Sequence, residues 1–114
     1  MFRRHAVLVW ILALVACQSS NVSRSLGARC DLNTDCAQTC LGPSMEWPGG
    51  FCTTTCDSDQ SCDDSAHCID DALTTGTCAF ACTTDADCAF LGQYTCQARD
   101  RHNGGNKVMV CRGG

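Results

Sequence analysis

Cysteine is the residue type best placed to do chemistry in this chain: 13 of its 114 residues are Cys. Their sulfurs could bind metal, exchange electrons or pair. Zinc and haem signatures, like thioredoxin-type redox sites, need Cys-x2-Cys, which brings two thiols together across a tight turn. No such pair occurs. The close pairs Cys36/Cys40, Cys52/Cys56 and Cys78/Cys82 each have three residues between them. Pairing remains, and disulfides persist only outside the reducing cytosol. The sequence therefore predicts bridges among Cys30, Cys36, Cys40, Cys52, Cys56, Cys62, Cys68, Cys78, Cys82, Cys88, Cys96 and Cys111, with no metal and no cofactor.

Carboxylates come next. Asp57-Ser-Asp59 and Asp85-Ala-Asp87 space acids two apart, as oxygen-ligand loops do, and Asp63-Asp64 and Asp70-Asp71 add more. The EF-hand order, with its glycine and closing glutamate, is missing. The acids are read as turn caps on a soluble surface, with calcium as a minor alternative. Beyond the N-terminal segment the histidines are His67 and His102, without a Ser-His-Asp order or a paired carboxylate around them, so no enzyme is expected. Between Cys30 and Ala98 there are eleven acids and no Lys or Arg, which repels nucleic acid. Arg99, Arg101, Lys107 and Arg112 make the C-terminal hairpin basic and read as a solvated face. The best partner-contact candidates lie in the insert Leu41-Gly-Pro-Ser-Met-Glu-Trp-Pro-Gly-Gly50, namely Trp47 and Met45. An exposed Trp on a stapled loop makes a binding anchor. The competing reading folds Trp47 back as a local mini-core and is slightly favoured.

The elements that position these residues repeat. Cys30, Cys56 and Cys82 fall 26 residues apart, and so do Cys36, Cys62 and Cys88. The third cysteines (Cys40, Cys68, Cys96) follow after three, five and seven residues, and the fourth (Cys52, Cys78, Cys111) after eleven, nine and fourteen. Gly50-Phe-Cys52 and Gly76-Thr-Cys78 close the first two units alike. Fixed-period self-similarity marks tandem modules. Overlapping first–third and second–fourth bridges would compact each unit, and this pairing is preferred. Two alternatives stay open. An Asn103-Gly104 turn would set Cys96 opposite Cys111, and the junction pairs Cys52/Cys56 and Cys78/Cys82 could close on themselves, although such short loops restrain little chain. Short strands are expected near 94–101 and 107–111, with turns elsewhere. From Cys30 onward only ten residues are Leu, Ile, Val or Phe, too few to offset chain entropy without covalent help.

An export signal is required, and the N-terminus supplies one. Met1-Phe-Arg-Arg-His5 is a positive start, and Ala6 to Ala16 is an apolar run of eleven residues, too short to span a bilayer as a helix. Residues 18–29 are polar, Ser-rich and free of Cys, a flexible tether.

Leu14-Val15-Ala16-Cys17 resembles the lipobox of bacterial lipoprotein precursors. The resemblance implies cleavage before Cys17, diacylglycerol on its sulfur, and a membrane anchor. The alternative has Cys17 leaving with an ordinary signal. Gln18 at the second position implies, by analogy with enterobacterial lipoproteins, the outer membrane. The Cys-x5-Cys units with an Asp in the spacer resemble cysteine-rich repeats of myxobacterial-type surface lipoproteins. They are loosely similar to Dickkopf and colipase modules, although the Cys-Cys doublet of those families is absent.

The sequence thus predicts a small disulfide-rich fold of three tandem four-cysteine modules, mostly turns and loops with short β-hairpins and little regular secondary structure. Its divisions are a lipoprotein signal peptide (1–16), lipidated Cys17 with its tether (17–29), and repeats at 30–55, 56–81 and 82–114. The expected role is a membrane-anchored extracytoplasmic binding or structural module with a protein or glycan partner. A secreted inhibitor-like or toxin-like knot is the alternative.

Overall fold

The structure is a computed structural model, described for residues 25–70 and 75–114. It is a small disulfide-rich fold of short antiparallel strand pairs, 3-10 turns and loops. Strands β1 (Thr39–Leu41) and β2 (Phe51–Thr53) pair in the first unit. In the second, β4 (Ala66–Asp70) pairs with β5 (Gly76–Phe80), and the two-residue β3 (Thr55–Cys56) adds to the other edge of β5. The third unit pairs β6 (Thr95–Arg99) with β7 (Val108–Arg112). Strands thus fall where expected in the third unit and also in the first two, which the sequence left as turns.

One plan recurs three times. After the opening cysteine, the Cys-x5-Cys spacer winds into a 3-10 turn: Asn33–Asp35, Asp59–Ser61 and Asp85–Leu91. A hairpin follows, and its register sets the third and fourth cysteines directly opposite one another: Cys40↔Cys52, Cys68↔Cys78 and Cys96↔Cys111. Opposed residues present side chains on one face of a hairpin, yet these pairs do not bond to each other. Each reaches back to the spacer turn. The bridges are Cys30–Cys40, Cys36–Cys52, Cys56–Cys68, Cys62–Cys78, Cys82–Cys96 and Cys88–Cys111, first to third and second to fourth in every unit. Their Cα–Cα separations, 5.3 to 6.0 Å, lie in the ordinary range for disulfides. Asn103 and Gly104 do take positive φ, 66° and 90°, and the hairpin does oppose Cys96 and Cys111, but the two are not joined.

The glycines two residues before Cys52 and Cys78 have a steric reason. Gly50 has φ +79°, and a Cβ there would collide with the backbone carbonyl of Cys30. A Cβ on Gly76 would lie 2.5 Å from Cys68 Sγ and 2.7 Å from the Cys56 carbonyl. In both units the opening cysteine packs over the hairpin at that point. The third unit has Met109 there, 40% exposed.

The interior is shared among the units. Phe51 from the first is fully buried against Trp47 (4.8 Å between ring centroids), Tyr94 of the third (6.0 Å) and Phe80 of the second (6.2 Å, edge-on). Ile69, Ala79, Leu91, Val108 and Val110 complete this cluster. Cysteine sulfur supplies much of the rest, with nine of the twelve bridged cysteines buried: Cys30, Cys36, Cys52, Cys56, Cys68, Cys78, Cys82, Cys88 and Cys111. Backbone hydrogen bonds also cross the units. Cys78 N–H donates to Thr54 O (3.2 Å), Gly113 N–H to Glu46 O (2.9 Å) and His102 N–H to Cys68 O (2.9 Å). The bridges are local while the core is common, so the low aliphatic count understated what these few side chains bury together.

Candidate functional site

The acidic spacers are structural in a specific way. Asn33, Asp59 and Asp85 occupy the same place in the three units. Each uses its Oδ1 to accept a hydrogen bond from the backbone N–H of that unit's third cysteine: Cys40 (2.9 Å), Cys68 (2.8 Å) and Cys96 (2.8 Å). The side chain therefore ties the turn to the strand beside the disulfide. Two residues on, Asp35 and Asp87 cap their turns. Asp35 Oδ2 accepts from the N–H groups of Asp31 (2.9 Å) and Leu32 (3.1 Å). Asp87 Oδ2 accepts from Thr83 N–H and Thr83 Oγ1 (both 2.8 Å) and from Thr84 N–H (3.1 Å). These donors, Thr83 N–H first, hold the Asp87 carboxyl below its ordinary value. Ser61 takes this place in the second unit. In Asp85-Ala-Asp87 both carboxylates accept from backbone N–H groups, so that spacing serves turn closure.

Both histidines have carboxylate partners that their sequence neighbourhood did not reveal. His67 Nδ1 lies 2.8 Å from Asp59 Oδ2, which Arg101 also reaches at 3.3 Å. Burial pushes the Asp59 carboxyl up, but the Cys68 N–H, the His67 ring and Arg101 outweigh it and hold the group below its ordinary value. His102 Nδ1 lies 2.7 Å from Asp70 Oδ1. Around this second pair the tip of the third hairpin grips the second unit. Arg101 bridges to Ile69, and Asn103 Nδ2 donates to Asp57 O at 2.8 Å. His102–Asp70 and Arg101–Asp59 join the third unit to the second, while His67–Asp59 lies within the second. The histidine pairs come from side chains 8 and 32 residues apart, beyond what local motifs show. The 26-residue period was the available signal for the first, since it puts Asp59 in register with Asn33 and Asp85.

Of the insert candidates, Trp47 is folded back, the reading slightly favoured from sequence, though into the common core, and Met45 is exposed. Trp47 is 4% exposed, stacked on Phe51, with the Arg112 guanidinium 5.2 Å above its ring. Apolar area was scarce, and the largest side chain in the repeats was drawn into the common core. It is therefore not an anchor displayed to a partner. Arg112, read from sequence as part of a solvated face, is itself buried, paired to Glu46 Oε2 at 3.1 Å. Tyr94 closes the same region by donating to Pro48 O (3.1 Å), and its burial pushes the phenol up to about 12. Met45 stands 80% exposed at the loop tip.

In each unit three sulfurs lie within 4.8 Å of one another, a spacing that would suit a soft metal. All of them are in disulfides, so no thiolate is offered. Cys17, the lipidation candidate, lies outside the described residues. Among the described residues no helix is long and apolar enough to cross a membrane. No protein-family model, curated protein or solved structure matches this chain.

Proposed function

We propose that the chain is a membrane-anchored extracytoplasmic lipoprotein whose repeats act as a binding or structural module without catalysis, in the outer membrane, with a protein or glycan partner. One observation carries the reading. Leu14-Val15-Ala16-Cys17 ends an apolar run, and Cys17 is the one cysteine outside the six bridges. Disulfides throughout the repeats fit an oxidising compartment. A lipid on Cys17, with two or more acyl chains, would hold the repeats stably at a membrane.

The absence of catalysis rests on how the reactive groups are spent. Every described thiol is bridged. His67 is held on Asp59 within the second unit and His102 on Asp70 across units, at a surface where water is not excluded. The experiment is expression of wild type and Cys17→Ser in a bacterial host with labelled fatty acid. The wild type should take up label and be cut before residue 17, and the variant should accumulate as unlabelled precursor. Normal cutting of the variant, with no label on the wild type, would reject the anchor.

A further inference from the structure

The surface where the tether enters the fold differs from the rest of the molecule. Gly27 N–H donates to Cys52 O and Cys52 N–H to Ala28 O, both at 2.8 Å, so the entry segment is clamped to β2. Beside it runs an open groove lined by Leu26, Arg29, Pro48, Phe90, Leu91 and Tyr94. Phe90 stands on its rim, 67% exposed, packed edge-on at 5.3 Å against the half-buried Phe80. Leu26 and Phe80 both rest on the common core. Arg29 is exposed, with its guanidinium beside Gly49 and Gly92, and makes no ion pair among the described residues. An aromatic ring held out in water by a rigid base, next to a cation, is unusual in a chain this poor in apolar side chains.

The position of the anchor narrows what covers it. Ser25 is eight residue steps on from Cys17, so the two Cα atoms are at most about 28 Å apart. With Cys17 in the bilayer, the face from which residue 25 emerges is therefore held near the lipid surface. The charge on that face agrees: Arg29 lines the groove beside the entry segment, a cation suited to lipid phosphate.

We infer that this face docks on the phospholipid surface to which Cys17 tethers the chain, with Phe90, Phe80 and Leu26 at the headgroup–acyl boundary and Arg29 on lipid phosphate. The inference rests on the lipid anchor proposed above. Docking would fix the orientation of the repeats and leave Met45 and the His67–Asp59 surface to be presented according to that tilt, instead of on a freely swinging domain.

The test uses the mature acylated protein in vesicles of brominated phosphatidylcholine with a minority of phosphatidylglycerol. Phe90→Trp is compared with Leu32→Trp, an equally exposed position that does not line the groove, each above the Trp47 emission of wild type. The account expects Trp at position 90 to lose most of its emission to bilayer bromine and Trp at position 32 to keep its own. Adding Arg29→Gln should weaken the quenching at position 90. An acylated, vesicle-bound protein with position 90 unquenched, or with both positions quenched alike, overturns the docked face and leaves the anchor standing. Emission at 90 that shifts only with protein density, without bromine quenching, assigns the face to a second copy and also overturns the proposal. A protein without acyl label removes the anchor and the docking together.

Discussion

The spacer turns and the hairpins of this protein are built under opposite constraints. The three Cys-x5-Cys spacers keep one length, one 3-10 turn and one side-chain bond to the third cysteine. The hairpins have different lengths, and their variable parts reach outward. The insert of the first hairpin buries Trp47 against Phe51 and receives the Tyr94 hydroxyl of the third unit on Pro48. The tip of the third hairpin lays Arg101, His102 and Asn103 across the second unit. The constant part closes each unit, and the variable part joins the units. Divergence among tandem repeats is therefore informative here, because an interface between different neighbours cannot repeat.

The largest test of this division removes the closure. Reduction and alkylation of residues 25–114 should abolish the dispersed amide spectrum. Loops closed at separations of 10 to 23 residues are each worth about 3 kcal/mol in the unfolded-chain model, and the shared core is too small to replace six of them. A cooperative fold in strong reductant would show that the hairpins alone suffice.

A smaller effect should separate the units. Asp59→Ala removes the acceptor for Cys68 N–H and the partner of His67 and Arg101. About 1–2 kcal/mol is expected from the buried N–H left without a partner, with faster amide exchange concentrated in β4. Asn33→Ala loses only the bond to Cys40 and should cost less, with exchange confined to β1. Equal losses would mean that the ionic contacts around Asp59 contribute nothing.

Acid should act on the same groups. The Asp59 and Asp87 carboxyls titrate below their ordinary 3.8 in the fold. Their contribution is complete above that value and is lost as pH falls through the depressed folded values. Tyr94 is the mirror case. Its phenol is raised from 10.0 to about 12, so its contribution is complete below 10.0 and is lost as pH rises toward 12. The denaturation midpoint, with bridges intact, should be flat near neutrality and fall on both sides, and Asp59→Ala should flatten the acid limb. An acid limb unchanged in that variant would put the linkage elsewhere.

The closure was legible in sequence because its parts are periodic. Cysteine spacing gave the units and favoured the bridges now seen, and the repeated Asn or Asp marked the turn. The join was not legible. Trp47 was open between an anchor and a local mini-core, and nothing in the insert names Phe51, Tyr94 and Arg112 as its neighbours. His67 and His102 lacked any carboxylate motif because the partners approach through tertiary packing. The groove escaped for the same reason, since Leu26 and Phe90 lie in different segments that meet only once the entry segment is clamped to β2.

The central claim is that closure is local and the core is common. It is tested most directly by native-state amide exchange on oxidised Phe51→Ala. Truncating a fully buried Phe costs about 3–5 kcal/mol. The account predicts that protection falls together in β2, β5 and β7, because Phe51 is packed against side chains of all three units, while the six bridges remain unchanged. Loss confined to β1 and β2, with β5 and β7 protected as in wild type, would contradict it and make the three units independent beads on one chain.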